Sequence, residues 1–471
     1  MRYEGILKLK FFGANRQVTG SCTLLEASDL RLLIDCGLFQ EREYLGRNWA
    51  SFPVPPESID ILFLSHVHLD HSGLIPKLVK EGFKGPIITT RPTMDMLPIV
   101  LLDAARIQEE DAAYKRKRHK REGRKGPYPE IPLYTAEDAE SVFPLVQDKP
   151  YGKVIPINGH GKVRFHDAGH ILGSAIVEVT LQEDGRQETV LFSGDIGQWN
   201  RPLMQDPTVF EHADYVVVES TYGDREHEDP VDVDRMLSKT INDTVARGGN
   251  VIIPTFAIER AQELLYHLGR LSRQDRIPFL MTFLDSPMAM DITKVFMQYQ
   301  DYLDSETQEL IREGKNPFEF PGLRLTRTVV ESKSINSIKG SCIIMAGSGM
   351  CTGGRIKHHL VQNISRPEST ILFVGYQAKG TLGRQILDGK SEVRILGKTF
   401  PVRARVSQIQ GFSAHAGRKD LLHWLDSFRS PPACLFLTHG EKEASRSLSE
   451  YIRREKGWRV AIPRYADEWE L

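Results

Sequence analysis

The first third of the chain alternates short apolar runs with turn residues, a pattern typical of β-strands. Strands are predicted at LKLKFFGA, CTLLEAS, LRLLIDCG and IDILFLSH, with further ones at KVIPI, KVRFHDAGH, SAIVEVTL and TVLFSGD. Between the two groups, the apolar spacing from Pro98 to about Arg121 predicts a helix that becomes strongly polar at its end. This part of the chain therefore combines many strands with at least one long helix.

From about Ala213 the pattern changes to buried strands that alternate with amphipathic helices. The strands are predicted at DYVVVEST, VIIPTF, FLMTFLD, SCIIMAG and TILFVGY. This β-then-helix order predicts a doubly wound, parallel α/β sheet. The end of the chain predicts one more helix, at DLLHWLDSF, and a strand at ACLFLTHG.

Composition is that of an ordinary globular protein: 471 residues, 40% hydrophobic and 26% charged. The length suggests about three domains and a large core. The five cysteines contain no C-x-x-C pair, and no secretory signal is recognised, so we expect a reduced, cytoplasmic protein. No stretch approaches about 18 apolar residues, so no membrane association is expected.

The formal net charge of −1 does not by itself indicate a nucleic-acid binder. Residues 115–125 depart from this balance, because they read KRKRHKREGRK. One interpretation is a solvated helix end or a disordered insert. The other is an electrostatic guide for a phosphate backbone.

The strongest chemical signal is the run His66-Val67-His68-Leu69-Asp70-His71. In an extended segment the side chains of residues i and i+2 project to the same side, so His66 and His68 can hold one ion. A helix predicted directly afterwards would bring Asp70 and His71 toward a second ion. Imidazole and carboxylate together suit zinc and other first-row divalent metals.

Three further candidate ligands follow apolar strands and have glycine neighbours: His170, Asp195 and His439. Each alone is better explained as a structural residue. Together with the histidine run they supply seven ligands, enough for two ions. The count allows three imidazoles on one ion, Asp70 with two imidazoles on the other, and Asp195 between them.

These motifs, HxHxDH, GHxxGS, SGD and a late THG, resemble in kind and order those of the metallo-β-lactamase superfamily. More narrowly, the chain is similar to the β-CASP branch, which contains the endonuclease of eukaryotic pre-mRNA 3′-end processing and its bacterial and archaeal relatives. The matching runs are VVVESTYGD, IPTFAIERAQELL, DSPMA, AGSGMCTGGR, VGYQAKGTLGR, GFSAHAG and LTHGE. The resemblance covers almost the whole chain.

The resemblance implies three additional site residues: Glu219, His415 and His439. His415 would protonate the leaving oxygen or stabilise charge, and Glu219 would hold its tautomer and raise its pKa. Asp70 or Asp195 would orient the nucleophile. The DNA-processing subgroup usually has an apolar residue where this chain has His439, so RNA is the implied substrate.

The implied fold is an αββα metallo-β-lactamase sandwich with an inserted, doubly wound β-CASP domain. Its expected boundaries are 1–206 and 400–471 for the two parts of the sandwich and 207–399 for the insert, which would cover the metals and leave a narrow cleft. The implied function is a ribonuclease that cuts single-stranded RNA with two Zn²⁺, or Mn²⁺ instead, and leaves 5′-phosphate and 3′-hydroxyl ends. Cleavage within the strand and from an end are both open, as is a homodimer.

Weaker predictions concern phosphate contacts in or near the glycine-rich runs, assigned to Ser348, Arg384 and Ser413. Such runs follow apolar strands and could present backbone N–H groups to a phosphate, although many are only tight turns. Two other functions compete with the ribonuclease. One is a small-molecule hydrolase such as a thioesterase or lactonase, and the other is a non-catalytic RNA-binding scaffold.

Overall fold

The computed structural model describes residues 7–157, 159–183, 186–226, 230–378 and 380–471. The chain folds into two compact units. The first comprises the described residues up to Asn200 together with Gln205–Glu226 and His415–Leu471. The second comprises Arg201–Met204 and the described part of His227–Ala414. In sequence, the second unit is thus an insertion into the first.

The elements follow one another in the order that the sequence pattern predicts. The first unit begins with the strands β1 (Lys8–Gly13), β2 (Cys22–Ala27), β3 (Leu30–Ile34), β4 (Ile61–Phe63), β5 (Ile87–Thr89), β6 (Val146–Asp148), β7 (Ile155–Ile157), β8 (Gly161–Asp167), β9 (Ala175–Glu183), β10 (Arg186–Phe192) and β11 (Tyr215–Glu219). Its helices in this part are α1 (Leu69–Ser72), α2 (Ile75–Lys80), α3 (Arg91–Glu122) and α4 (Ala136–Glu140), with 3₁₀ turns at Leu45–Asn48, Pro56–Ser58 and Phe143–Leu145.

The inserted unit contributes the next eight strands and seven helices. The strands are β12 (Val251–Pro254), β13 (Met281–Asp285), β14 (Leu323–Leu325), β15 (Cys342–Ala346), β16 (Thr370–Val374), β17 (Glu392–Ile395), β18 (Lys398–Pro401) and β19 (Arg405–Ile409). The helices are α5 (Pro230–Val245), α6 (Arg260–Arg273), α7 (Pro287–Gln298), α8 (Ser305–Arg312), α9 (Val329–Ser334), α10 (Ile356–Asn363) and α11 (Leu382–Leu387), with 3₁₀ turns at Gln300–Tyr302 and Ile335–Ser337. The first unit then closes with β20 (Cys434–Thr438), β21 (Val460–Ala461), β22 (Glu468–Glu470), α12 (Arg418–Asp426) and α13 (Lys442–Lys456).

Two seven-stranded sheets form the first unit. Their orders are β22-β1-β2-β3-β4-β5-β6 and β21-β20-β11-β10-β9-β8-β7. One apolar core contains side chains from both sheets, including Phe11 and Phe63 from the first and Phe165 and Phe436 from the second. The aromatic rings of Phe11 and Phe436 lie 5.4 Å apart between their centroids. The two sheets therefore pack face to face, with the core between them.

Helices cover the outer face of the second sheet. On β11, Val217 belongs to the core between the sheets, whereas Val216 and Val218 belong to a second core that includes Trp424 of α12 and Leu448 of α13. This alternation is the two-residue period of a strand that is buried on both sides. Together with α3, which lies beside β6 of the other sheet and packs against α4, these helices complete the αββα sandwich, so that prediction is confirmed.

Trp424 is the largest fully buried side chain of this helical layer, and its indole Nε1 donates a hydrogen bond of 2.8 Å to the Thr208 carbonyl. We expect Trp424→Ala to lower the free energy of unfolding by about 3–5 kcal/mol, because it leaves a cavity and an unpaired carbonyl. Thermal and denaturant unfolding would measure the loss. Arg446→Ala on the exposed face of α13 is the control and should stay within about 0.5 kcal/mol. An unchanged midpoint for Trp424→Ala would contradict the prediction.

A six-stranded sheet forms the centre of the inserted unit. Its order is β14-β13-β15-β12-β16-β19, and all neighbouring strands are parallel. Ile252, Ile344 and Phe373 on one face pack in a core with Leu360 of α10 and Ile386 of α11. The predicted parallel α/β insert is therefore confirmed.

The long helix α3 differs from the prediction at its start. It begins at Arg91 rather than near Pro98, so Pro98 lies inside it. Thr90 caps the helix through its side-chain oxygen, and Pro92 in the first turn needs no N–H partner. The proline was misleading because a helix can keep one interior proline when packing holds it in place.

All five cysteines are buried and unpaired. Among the residues that the structure describes, none of the helices combines the length and the apolar character needed to cross a lipid bilayer.

Candidate metal centre

Polar side chains follow the ends of neighbouring strands in both sheets of the first unit. Asp35 comes after β3 and His66 comes shortly after the adjacent parallel strand β4. In the second sheet Asp195 follows β10, Glu219 ends β11, and His439 follows β20. These three strands are parallel neighbours, and Glu219 lies opposite the residue before His439. Parallel strands place such side chains at one edge of the sheet.

A first group of potential ligands consists of His66, His68, His170 and Asp195. One ligand atom of each lies within 4.8 Å of the others. Nε2 of His66 is 3.1 Å from Nδ1 of His68. Nε2 of His170, which lies in the turn between β8 and β9, is 3.3 Å from the same His68 nitrogen. Three imidazole nitrogens therefore converge on one point.

A second group consists of Asp70, His71 and His439. Asp70 and His71 lie on the short helix α1, directly after His66 and His68 of the first group. Nε2 of His71 is 3.0 Å from Nε2 of His439, which is 3.6 Å from the Asp70 carboxylate. The sequence run 66–71 thus serves both groups, as its spacing predicts.

Asp195 faces both groups with different oxygens. Its Oδ2 lies 3.4 Å from Nε2 of His66 and 3.6 Å from Nε2 of His170. Its Oδ1 lies 3.3 Å from Nε2 of His71 and 3.4 Å from Nδ1 of His439. A single carboxylate is therefore positioned between the two clusters.

The donor set fits divalent metal ions. Zinc binds imidazole nitrogen at about 2.0–2.1 Å, so the nitrogens of a tetrahedral site lie about 3.3 Å apart, as in the first group. Burial lowers the pKa of His68 to about 3 and that of His170 well below its usual range, so both rings are neutral and have a free lone pair. Oδ1 of Asp195 is buried without a hydrogen-bond partner among the described residues. A buried, unpaired carboxylate oxygen is costly unless a cation binds it.

Asp35 holds one of these imidazoles in place. Its carboxylate lies 2.7 Å from Nδ1 of His71 and accepts hydrogen bonds from the backbone N–H and hydroxyl of Ser65. Burial alone lowers the pKa of His71, but Asp195 and Asp35 outweigh it and raise this pKa well above the usual value. The two carboxylates thus favour positive charge here. Asp35 and His439 also have positive φ angles, 61° and 48°, a conformation that few non-glycine residues adopt.

In the sequence, Asp35 stands out as a polar side chain at the end of an apolar strand, but its support of His71 does not follow from that position. The structure places it after the strand next to the one that precedes His66. Ser65 and Thr221, whose hydroxyl is 3.1 Å from Nδ1 of His439, carry no recognisable signal. Such hydroxyl groups hydrogen-bond to a ligand and orient it, and they can be recognised only once the folded structure is known.

Glu219 and His415 lie next to each other beside the first group. Nδ1 of His415 is 3.2 Å from the Glu219 carboxylate, which also accepts a hydrogen bond of 2.7 Å from the backbone N–H of Ile196. Glu219 is fully buried, and the His415 side chain is 21% exposed. Burial lowers the pKa of His415, but Glu219 and Asp195 reverse this effect and raise it to about 9. The pairing fixes the orientation of the His415 ring and keeps it protonated at neutral pH.

The three predicted phosphate contacts lie in the inserted unit. The Ser348 hydroxyl accepts hydrogen bonds from the N–H groups of Thr352 and Gly353, within a tight turn after β15. Arg384 forms an ion pair with Asp388 at 2.8 Å, and Ser413 is buried. Their role in phosphate binding stays a prediction.

The αββα fold and its cluster of imidazoles and carboxylates define a metal-dependent hydrolase. Three family models match the chain: the metallo-beta-lactamase superfamily at residues 15–221, the Beta-Casp domain at 261–386, and the Zn-dependent metallo-hydrolase RNA specificity domain at 399–463. The chain belongs to the metallo-β-lactamase superfamily, in its β-CASP branch.

Individual relatives match over nearly the whole chain. Ribonuclease TTHA0252 of Thermus thermophilus is 38% identical over 97% of this chain and 98% of its own. Transcription termination factor FttA of Methanocaldococcus jannaschii is 32% identical over 95% of this chain and 69% of its own. A crystal structure of a protein of unknown function from Enterococcus faecalis V583 shares the fold, with a TM-score of 0.56, 14% identity, and coverage of 99% of this chain and 100% of that one.

Proposed function

We propose that this protein is a ribonuclease that hydrolyses phosphodiester bonds of single-stranded RNA with two Zn²⁺ ions and leaves 5′-phosphate and 3′-hydroxyl ends. The observation that carries the proposal is the Asp195 carboxylate, whose two oxygens each face one group of ligands. A bridging carboxylate between two neighbouring ligand sets is what a two-metal phosphodiesterase needs.

In this proposal His66, His68 and His170 would hold one ion and Asp70, His71 and His439 the other, with Asp195 as a ligand available to either. Bound zinc ions would lower the pKa of water and offset the negative charge of the phosphate. The protein's own contribution is to fix the imidazole rings in place and to keep those of His68 and His170 neutral. The second oxygen of Asp70 is suited to orient the attacking water.

His415 is proposed as the general acid that protonates the leaving 3′ oxygen. Its Nδ1 is occupied by Glu219, which leaves Nε2 to donate the proton. A pKa of about 9 keeps the ring protonated at neutral pH. Glu219 therefore acts through His415, as a positioning residue that fixes the ring and stabilises its charge.

RNA as the substrate class is supported by the relatives and by the RNA specificity domain model. His439 supports it as well, because the DNA-processing subgroup usually has an apolar residue at this position. The mechanism makes no use of the RNA 2′-hydroxyl, so the preference for RNA must come from binding. Five unpaired cysteines suit a reducing compartment, in keeping with a cytoplasmic enzyme.

The direct test is incubation of zinc-loaded protein with end-labelled single-stranded RNA, with and without a chelator. We expect cleavage that the chelator abolishes, and product ends that a phosphatase identifies as 5′-phosphate. Labels at either end also show whether cleavage begins within the strand or at its end. If RNA stays intact while thioesters or lactones are hydrolysed, the protein is a small-molecule hydrolase. If nothing is hydrolysed but RNA is bound, it is a scaffold.

A further prediction concerns Asp35, which touches a proposed ligand but not the ions. We expect Asp35→Ala to weaken zinc binding about 10- to 100-fold, because His71 loses the partner that orients its ring. Competition with a chromogenic chelator measures the affinity. The control is Asp29→Ala. Asp29 is an exposed carboxylate that also lies beside a histidine, at 3.4 Å from His160, but this histidine belongs to neither ligand group. Equal affinities of the two variants would contradict the role given to Asp35.

A further inference from the structure

The end of helix α3 carries a concentrated positive charge that the proposed mechanism does not use. We call residues 114–125 the basic arm. It contains eight Lys or Arg side chains against one Glu, and all eight are exposed. The chain as a whole has a net charge of −1. The positive charge of the arm is therefore a local feature.

The basic arm is packed against the rest of the first unit. His119 in its middle is buried, and its Nδ1 lies 2.5 Å from the Glu130 carboxylate. Gly123 ends the helix in a left-handed conformation. The returning chain is held to the helix by a hydrogen bond from the N–H of Leu133 to Gln108. The helical conformation up to Glu122 does not fit a disordered insert, whereas the exposed cations match the solvated helix end that the sequence also allows.

Most of the arm's cations have no acidic partner among the described residues. Lys115, Arg118 and Arg124 lie near Asp111 or Glu122. The remaining five are without one: Arg116, Lys117, Lys120, Arg121 and Lys125. Like charges three and four residues apart destabilise a helix. An unneutralised cluster on an anchored helix is suited to a polyanion that supplies the missing negative charge.

An exposed aromatic side chain lies within this charge. Tyr114 is 64% exposed. It precedes Lys117 by three residues and Arg121 by seven, which places all three on one face of the helix. The buried His119 lies on the opposite face. Cations around an exposed aromatic ring are typical of surfaces that bind single-stranded nucleic acid, because the ring stacks on a base while the cations contact phosphates.

The same helix is tied to the candidate metal centre at its other end. Hydroxyls of Thr90 and Thr93 donate hydrogen bonds to the carbonyl of Gly173, in the turn that carries His170. At about 1.5 Å per residue, roughly 35 Å of helix separates Thr93 from Lys117. The arm is therefore fixed to the metal centre but well removed from it.

We propose that the basic arm is a second RNA-binding site, which holds the backbone of long single-stranded RNA while another part of the strand is cleaved at the metal centre. The inference rests on the proposed function. It predicts a dependence on length, because a short strand cannot reach both places.

The test is a variant in which the five unpartnered cations are replaced by glutamine: Arg116, Lys117, Lys120, Arg121 and Lys125. Glutamine keeps the helix and removes only charge. We expect KM for RNA of about 30 nucleotides to rise at least tenfold and the slope of log KM against log salt to fall by about 3. RNA of about 3 nucleotides, which is too short to span the distance, should show about the same KM as with the unmodified protein.

The control variant loses the same charge elsewhere on the first unit, through glutamine at Lys84, Lys153, Lys442, Arg459 and Arg464, all exposed. It should bind long RNA like the unmodified protein. Equal KM values for the arm and control variants would refute the inference. Cleavage of RNA by both variants would at the same time support the proposed function. Loss of binding to phosphatidylserine vesicles with unchanged RNA cleavage would also refute it and assign the arm to a lipid surface. If the unmodified protein cuts no RNA, the proposed function is wrong, and the inference about the basic arm falls with it.

Discussion

The Asp195→Ala variant is expected to lose both metal ions and at least about 10³-fold of the rate of RNA cleavage. Asp195 faces both ligand groups at 3.3–3.6 Å, so its removal would take one proposed ligand from each ion. Loss of several kcal/mol of transition-state stabilisation corresponds to this factor. Metal analysis after dialysis, beside circular dichroism to verify folding, measures the effect.

Two further histidine variants sharpen this result. His68 belongs to the first group only, so His68→Ala should reduce the zinc content from about two ions per chain toward one. His358 is exposed and outside both groups, so His358→Ala should retain the full content. A folded Asp195→Ala protein with unchanged zinc would remove Asp195 from the ligand set.

The His415→Ala variant is expected to retain its zinc and to cleave RNA about 10²- to 10⁴-fold more slowly. His415 lies 3.8 Å from Asp195 and is paired with Glu219, so we assign it to proton transfer and not to metal binding. General acid catalysis contributes a factor of this size. Single-turnover cleavage of labelled RNA at saturating enzyme separates the rate from binding.

Glu219→Gln provides the companion measurement. The amide preserves the shape of the side chain but removes the charge that raises the pKa of His415. The variant should therefore show a smaller loss of rate than His415→Ala, and a shift of the alkaline limb of the pH–rate profile to lower pH. Loss of zinc from His415→Ala would instead make His415 a ligand. That result would favour the alternative cluster of Asp195, Glu219, His415 and His439, which also lies within 4.8 Å.

The two sets of variants test different parts of the proposed function, metal binding and proton transfer. Asp195 and His68 test whether the site holds two ions, whatever the substrate. His415 and Glu219 test whether the leaving group is an oxygen that needs a proton, as in a phosphodiester. The basic arm tests how a long strand is held. A result in one set does not decide the others.

The sequence by itself determined the local features of this protein. Two-residue and helical periodicities were sufficient for the strands of the sandwich and the parallel α/β insert, because burial on one or both faces selects apolar residues at those periods. The run from His66 to His71 indicated ligands for two ions, because strand and helix geometry set the directions of neighbouring side chains. The charge of residues 115–125 was likewise visible without a structure.

Only the tertiary structure decided which distant residues meet. Glu219 and His415 are separated by the inserted unit in sequence, yet the parallel pairing of β11 with β20 brings the two parts of the first unit together. The count of ligands anticipated Asp195 between two groups, whereas the support of His71 by Asp35 is visible only in the folded chain. Sheet order depends on the packing of the whole core and not on any local pattern, so no single segment of the chain contains it.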